Sequence, residues 1–164
     1  MVLDLRSVFA DEGKSILVDS EFDLSSLELY GGYPLKNPVK VSGTVYNRVG
    51  IVTLDVVCEV EYSAPCDRCG IDAVKTYRIS IKRTLVNEIQ SDENDEMILL
   101  EAYKLDLDKL VYSEVVLGVP TKHLCREDCK GICSKCGKNL NSGNCACPER
   151  EIDPRMAPLA ELLK

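Results

Sequence analysis

LCREDCKGICSKCGKNLNSGNCAC, residues Leu124–Cys147, contains six of the nine cysteines in the chain. Two more lie upstream in PCDRCG, residues Pro65–Gly70. The segment has few apolar residues and much Gly, Asn and Lys, so it cannot build a hydrophobic core of its own. Cysteine thiolates bind zinc strongly, and a short segment of this kind folds when metal binds. We therefore predict a metal-stabilised segment, with disulfides and redox catalysis as the alternatives.

The rest of the sequence favours a reducing compartment. The start, MVLDLRSVFADEGK, lacks the basic and apolar regions of a signal peptide, and no apolar run approaches the ~20 residues of a spanning helix. We expect a cytoplasmic protein with no membrane contact, in which thiols stay reduced. There, spaced cysteines more often bind metal or serve redox chemistry than form a disulfide framework, and an odd number of cysteines fits such a framework poorly.

Regular alternation predicts strands in the first half of the chain. Apolar residues recur at every second position in PVKVSGTVYN (38–47), IVTLDVVCEVEY (51–62) and TYRISIKRTL (76–85). NRVG (47–50) is typical of a hairpin turn, and ILVDSEFDL (16–24) and MILLEAYKLD (97–106) are further candidate strands.

Helical spacing predicts a helix in DLDKLVYSEVVLGVP (106–120), with Asp106 as its cap and Gly118 and Pro120 as its end. The predicted fold class is α+β: a mostly antiparallel β-sheet or barrel-like domain with one or two helices and a C-terminal Cys-rich zinc-binding segment. The predicted boundaries are 1–120 for the β domain plus helix, 121–152 for the Cys-rich segment, and 153–164 for a C-terminal short helix that packs on the body or docks to a partner.

Eight of the nine cysteines are candidate metal ligands. Cys58 lies on the apolar face of a predicted strand and is interpreted as a small buried hydrophobe. The others form four couples, which could combine into two sites in three ways. We favour two structural Zn²⁺ ions, one of which is bound by four cysteines that are close together in sequence. The local set is Cys133, Cys136, Cys145 and Cys147, and the second set is Cys66, Cys69, Cys125 and Cys129. His123 could replace Cys125 because imidazole also binds zinc.

Other chemistries have weaker support in the sequence. A redox thiol usually needs a helix N-terminus to lower its pKa, and neither Cys-x-x-Cys is clearly followed by a helix. Four thiolates also hold iron–sulfur clusters, which the spacing does not exclude. The sequence contains no Gly-rich phosphate loop, no His-Glu-x-x-His and no Gly-x-Ser-x-Gly. Four-cysteine zinc sites are closed and structural. We therefore expect no enzymatic activity and no small-molecule substrate.

CDRCG between strands, followed by LCREDCKGICSKCGKNLNSGNCAC and by DPR, resembles the YceD family, the large ribosomal RNA subunit accumulation proteins. The resemblance covers most of the chain from the β region onward. Its residues are Cys66, Arg68, Cys69, Cys129, Gly131, Cys133, Cys136, Gly137, Asn139, Leu140, Asn141, Gly143, Cys145, Cys147, Asp153, Pro154 and Arg155. The family pattern has Leu-Cys-Pro where this chain has Ile132-Cys133-Ser134, a departure that touches no proposed ligand.

The resemblance implies a non-enzymatic role in the synthesis, processing or accumulation of large-subunit ribosomal RNA. The implied partners are that RNA or its precursor, ribosome-assembly proteins, or both. We hypothesise that the Cys-rich segment makes the contact. Five basic residues would supply it, with ordinary solvation as the alternative. They are Lys122, Arg126, Lys130, Lys135 and Lys138.

The charge distribution argues against an extended electrostatic interface with nucleic acid. Residues 121–164 hold eight Lys/Arg and six Asp/Glu, whereas residues 1–120 hold twelve and twenty-one, for a net charge of −7. Each four-thiolate zinc site adds negative charge, and two would bring the chain to about −11. RNA contact would therefore be local. The rival interpretations are a protein-binding adaptor without RNA contact, a dithiol redox protein and a metal-dependent nuclease.

Overall fold

The structure is a computed structural model that describes residues 1–87 and 97–147. Its strands are β1 (Val2–Asp4), β2 (Ser15–Phe22), β3 (Val39–Arg48), β4 (Ile51–Pro65), β5 (Asp72–Val86), β6 (Met97–Leu99) and β7 (Lys104–Asp106). Its helices are α1 (Arg6–Ala10) and α2 (Leu107–Gly118), and a 3₁₀ turn spans Leu140–Ser142. The predicted helix at 153–164 lies outside the described residues, and the predicted domain boundaries stay predictions.

A five-stranded sheet in the order β2-β3-β4-β5-β6 forms the body. Strands β2 to β5 are antiparallel neighbours, and β6 joins β5 in parallel. A separate ribbon pairs β1 with β7. In the described part of the chain the sheet is open, with β2 and β6 as its edges. The predicted α+β class with a mostly antiparallel sheet is confirmed, and the sheet form rather than the barrel-like form is the one observed.

The alternating residues of the central strands build the core. On β4, Leu54, Val56, Cys58 and Val60 are fully buried, and their partners on β3 and β5 point to the same side. Each large aliphatic side chain buried in this way contributes ~1.5–3 kcal/mol. Cys58 is therefore part of the core, as the alternation predicted, and burial raises the pKa of its thiol to about 11.

Helix α2 covers this face of the sheet through Leu107, Val111 and Val115, which are all fully buried. Asp106 caps it as predicted, since its side chain accepts a hydrogen bond from the Lys109 N–H at 3.3 Å. The short elements β1 and α1 were not predicted. The segment 97–106 forms two short strands rather than one, because a tight turn at Ala102 and Tyr103, both at positive φ, interrupts it.

Opposite charges alternate across the outer face. One row of cross-strand partners runs Glu21, Lys40, Glu59 and Arg78 over four strands. The Arg78 Nη2 lies 2.9 Å from Glu59 Oε1. Neighbouring opposite charges stabilise a solvated sheet face modestly, by ~0.2–1 kcal/mol a pair. This face therefore remains in water, and the sheet is covered on one side only.

The hairpin of β4 and β5 extends past the rest of the sheet. Its register runs from Val52 opposite Leu85 to Pro65 opposite Asp72, whereas β3 pairs with β4 only as far as Glu59. Residues 60–65 of β4 therefore continue as a two-stranded arm beyond the edge of β3. The tip of this arm carries Cys66 and Cys69.

The turn between β3 and β4 gives the first testable prediction. Val49 and Gly50 have φ of 55° and 77°, a two-residue turn in which asparagine is preferred over a β-branched residue at the first position. Val49 is 78% exposed, so it has little packing to lose. We expect Val49→Asn to stabilise the protein by about 1 kcal/mol, raising Tm by about 2–4 °C. Val74→Asn, an exposed position in extended β5, is the control and should bring no gain. An equal change in both variants, measured by thermal unfolding, would contradict this account of the turn.

Candidate metal centres

The tip of the long hairpin is a tight knuckle built around Cys66. The Cys66 N–H donates to the Ile71 carbonyl at 2.9 Å, and the Gly70 N–H donates to the Cys66 carbonyl at 2.8 Å. Gly70 has a φ of 71°, which glycine adopts without a steric cost. This turn brings the Cys66 and Cys69 side chains to the same side of the tip.

The same knuckle occurs a second time at Cys133. Its N–H donates to the Lys138 carbonyl at 2.8 Å, the Gly137 N–H donates to the Cys133 carbonyl at 2.9 Å, and Gly137 has a φ of 74°. The two Cys-x-x-Cys-Gly motifs therefore fold identically at the backbone level, one on a hairpin arm and one in an irregular segment.

Cys66, Cys69, Cys125 and Cys129 form what we name the bridging cluster, since it joins the hairpin tip to the C-terminal segment. The Sγ atoms of Cys66 and Cys129 lie 3.9 Å apart, and those of Cys69 and Cys125 lie 3.7 Å apart. Four sulfurs at ~2.3 Å from a tetrahedral zinc ion would be about 3.8 Å apart. Three of the four residues are buried and Cys125 is half-buried. The site has the size and shape for one ion.

Cys133, Cys136, Cys145 and Cys147 form what we name the local cluster. Its four Sγ atoms also lie within 4.8 Å of one another, and it is less protected than the bridging cluster, since Cys136 is exposed. The structure thus groups the eight sulfurs in the two sets that the sequence favoured. Both groups could hold a metal ion.

Backbone N–H groups point at sulfurs of both clusters. The N–H of Cys125, with those of Arg68 and Cys69, lowers the pKa of Cys66 to about 6. The N–H groups of Cys136 and Lys135 lower the pKa of Cys133 to about 6. Hydrogen bonds to the charged form favour it, so these N–H groups stabilise thiolates within both clusters.

The pKa of one thiol in each cluster is raised. Burial, and then hydrogen bonding to neighbouring sulfurs, raises the pKa of Cys125 to about 12. Hydrogen bonding to Cys136, and then burial, raises the pKa of Cys147 to about 12. Four adjacent thiols cannot all ionise without a compensating cation. A bound divalent ion would displace these protons, so its affinity falls with decreasing pH.

His123 does not join the cysteines. Its Nε2 lies 3.1 Å from the Ala73 carbonyl, to which it donates, and its Nδ1 lies 3.2 Å from the Tyr77 hydroxyl. Its backbone N–H donates to Asp67 Oδ2 at 2.6 Å. With both ring nitrogens engaged on the hairpin arm, the fourth position of the bridging cluster belongs to Cys125. His123 instead fastens the chain to the arm two residues before that cysteine.

Asn141 connects the two clusters, a role that sequence reasoning missed. It lies in the 3₁₀ turn between the two couples of the local cluster, yet its Nδ2 donates to the Cys129 Sγ of the bridging cluster at 3.3 Å. Its Oδ1 accepts from Arg126 Nη2 and from the Lys130 N–H, each at 2.8 Å. Hydrogen bonds of this kind orient metal ligands. The only signal in the sequence was its place in the family pattern, which gave it no role.

A close backbone contact supports the same junction. Arg68 Nη1 donates to the Cys129 carbonyl at 2.8 Å, and the Leu140 N–H donates to the Gly131 carbonyl at 2.9 Å. Gly131 has a φ of 75°, and a Cβ atom there would lie 3.0 Å from the Arg68 carbonyl oxygen. Only glycine fits this crossing between the hairpin tip and the C-terminal segment.

The five basic residues singled out for RNA contact are all exposed. Two of them make contacts within the segment: Arg126 with Asp128 and Asn141, and Lys138 Nζ with the Asn144 carbonyl at 2.9 Å. Lys122, Lys130 and Lys135 make no side-chain hydrogen bond or ion pair among the described residues. None of the helices in the described ranges is long and apolar enough to cross a bilayer.

A family model described as large ribosomal RNA subunit accumulation protein YceD matches residues 54–163, more than half of the chain. The chain belongs to the YceD family. The match contains the long hairpin from Leu54 onward and all eight clustered cysteines, so both candidate metal centres lie within the matched region. The recognition made from the cysteine pattern is confirmed.

Relatives of known name agree with this membership. The chain is 28% identical over 130 residues to the uncharacterised protein YlbN of Bacillus subtilis (strain 168), a match that covers 78% of this chain and 76% of that protein. It is 26% identical over 160 residues to the chloroplastic large ribosomal RNA subunit accumulation protein YCED homolog 1 of Arabidopsis thaliana, covering 79% of this chain and 50% of that protein.

A third relative is an uncharacterised protein of Mycobacterium tuberculosis (strain ATCC 25618 / H37Rv), 36% identical over 76 residues, with 45% of this chain and 35% of that protein covered. The match therefore spans half of the Arabidopsis protein and about a third of the mycobacterial one. No solved structure matches.

The cluster assignment predicts how metal content responds to single substitutions. We expect two metal ions per chain in the purified protein and one free thiol, that of Cys58. Cys136→Ser removes a ligand and should leave about one ion per chain. Cys58→Ala is the control. Cys58 is buried in the core and belongs to neither cluster, so this variant should keep both ions. Elemental analysis with thiol counting tests this, and loss of metal in Cys58→Ala would refute the assignment.

The position of Asn141 predicts communication between the clusters. Asn141→Ala should weaken metal binding at the bridging cluster about 10–100-fold, although the residue lies in the loop of the local cluster. Asn144→Ala removes a side chain from the same loop that makes no described hydrogen bond and should leave both affinities unchanged. Cadmium-113 NMR during chelator competition measures each site separately, because the ion in each cluster couples to different cysteines. An effect of Asn141→Ala confined to the local cluster would disprove the connection.

Proposed function

We propose that the protein is a non-enzymatic ribosome-biogenesis factor: a zinc-stabilised module that acts in the cytoplasm through contact with large-subunit ribosomal RNA, its precursor or an assembly protein. The observation that carries this is the bridging cluster, which fixes a basic segment on the tip of a rigid hairpin arm. The YceD membership supplies the ribosomal RNA context. The exposed basic side chains of the Cys-rich segment support contact with RNA.

The sulfur geometry favours zinc over an iron–sulfur cluster. In such a cluster the four cysteines are divided among two or four iron atoms, so the four sulfurs do not all converge on one point. Here the four sulfurs of each group lie within 4.8 Å of one another, which suits a single ion. Four thiolates at tetrahedral spacing are the donor set of structural zinc sites.

The same geometry supports a role without catalysis. A catalytic zinc ion keeps one coordination position open for water or substrate, whereas a four-cysteine set fills all four. A dithiol redox function has less support, because Cys66 and Cys69 are flanked by strands rather than followed by a helix, and each belongs to a four-sulfur group.

The contact surface we propose is the exposed side of the Cys-rich segment. Lys122, Lys130 and Lys135 present charges there that are not used within the described structure. Each phosphate neutralised by a lysine adds to affinity in a salt-dependent manner. A protein-binding adaptor is the second candidate, favoured by the net charge of −7, which opposes extensive RNA contact.

Crosslinking in living cells, with sequencing of bound RNA and mapping of crosslinked peptides, tests the proposal. We expect enrichment at discrete large-subunit ribosomal RNA positions, with peptides from residues 122–147. Combined Lys122→Ala, Lys130→Ala and Lys135→Ala should reduce RNA recovery about tenfold, because three phosphate contacts are lost. Lys82→Ala, on the outer face of the sheet, is the control. RNA at background, with crosslinks to a ribosomal or assembly protein instead, would replace RNA contact with the adaptor function.

A further inference from the structure

A groove of about 380 Å³ lies beside the hairpin arm, next to the bridging cluster but separate from its sulfurs. The segment 29–34 forms one wall, the end of β4 forms the floor, and Pro120, Thr121 and His123 close the far side. The Ser63 N–H donates to the Pro34 carbonyl at 2.9 Å, which ties the wall to the floor. The groove is therefore built into the fold rather than left by loose loops.

Two tyrosines stand exposed on its wall. Leu29 and Gly32 exchange both backbone hydrogen bonds, at 2.8 and 3.1 Å, across a two-residue turn. This turn places Tyr30 at a φ of 52° and directs its side chain outward. Tyr30 is 60% exposed and Tyr33 is 61% exposed. Aromatic residues make up only 5% of the chain, yet two exposed tyrosine rings lie on this one concave wall. Such rings offer a large apolar contact area to a ligand.

The floor and rims are aromatic and proline-rich. Tyr62 is 4% exposed, and its ring lies 5.0 Å from that of the buried His123. Pro34, Pro65 and Pro120 also line the groove. Rigid, apolar and flat surfaces of this kind lose little conformational entropy when a ligand binds. They suit an extended ligand with flat, apolar faces.

The charge of the groove lining distinguishes between two possible ligands, a single-stranded nucleic acid and a basic peptide. Neither lysine nor arginine lines the groove in the described part of the chain, whereas Asp67 does. Its Oδ2 accepts from the His123 N–H, and its Oδ1 accepts no hydrogen bond among the described residues. Single-stranded nucleic acid needs a positively charged groove along its backbone, and a carboxylate repels its phosphates. The same carboxylate would attract an arginine or lysine.

We infer that this groove binds an extended, proline-containing peptide segment that carries arginine or lysine, supplied by a protein partner. Polyproline II segments dock in aromatic-lined grooves because they are already extended and have little entropy to lose. Tyr30 and Tyr33 contact the proline rings, and Asp67 Oδ1 accepts from the basic side chain. The net charge of −7 favours the approach of such a basic partner. The inference does not depend on the proposed RNA contact, which uses lysines that do not line the groove.

Titration of the full-length, metal-loaded protein with an Arg-Pro-Pro repeat peptide, followed by NMR, tests this inference. We expect shifts of the residues that line the groove, at peptide concentrations up to about 1 mM, which corresponds to weak but specific binding. Tyr30→Ala and Tyr33→Ala should each weaken binding at least about fivefold, as expected for aromatic anchors. Tyr33→Phe keeps the ring and should stay within about threefold of the parent.

One control variant and two control peptides test the specificity of binding. Tyr112→Ala removes a tyrosine that is 49% exposed on α2 and should not change binding. A Glu-Pro-Pro repeat and an Arg-Gly-Ser repeat should bind at least about fivefold more weakly than Arg-Pro-Pro, since each lacks one recognised feature. No shift with any peptide, or equal binding of the Glu-Pro-Pro repeat, would overturn the inference. So would tighter binding of an oligouridylate that depends on Tyr30 and Tyr33, which would reassign the groove to RNA.

Discussion

Convergence of four sulfurs at the tip of the β4–β5 hairpin is the constraint on which the rest of this structure depends. Cys66 and Cys69 lie at the tip of an arm that continues β4 and β5 of the sheet, and Cys125 and Cys129 lie in a segment with almost no apolar residues of its own. In the described residues this junction, its hydrogen bonds and the contacts of His123 with the hairpin arm hold the segment to the body. A metal ion there would supply folding free energy that the segment cannot obtain by burying apolar surface.

The junction is more than a pair of independent metal sites. Asn141 extends from the loop of the local cluster to a sulfur of the bridging cluster, while Arg68 reaches from the hairpin tip to the Cys129 carbonyl. These contacts explain why the two Cys-x-x-Cys-Gly knuckles, far apart in sequence, belong to one unit. They also hold a segment without a core of its own in a defined orientation relative to the hairpin arm.

Local patterns predicted much of this architecture. The alternation in β3, β4 and β5 identified the strands and placed Cys58 in the core, and the cap and stop residues identified α2. The two cysteine sets were chosen because one of them was local in sequence. Tertiary contacts decided the rest: α1 and β1 are too short to show periodicity, the tight turn at Ala102 and Tyr103 splits the predicted strand, and both ring nitrogens of His123 point to the hairpin arm. The role of Asn141 and the tyrosine groove arise from residues distant in sequence, which spacing alone does not reveal.

Cadmium-113 NMR of the cadmium-substituted protein tests the central claim most directly, because scalar coupling identifies the cysteines bound to each ion. The structure predicts two cadmium resonances. One should correlate with the β protons of Cys66, Cys69, Cys125 and Cys129, and the other with those of Cys133, Cys136, Cys145 and Cys147. A resonance that correlates with both Cys125 and Cys133, or with His123 in place of Cys125, would contradict the account.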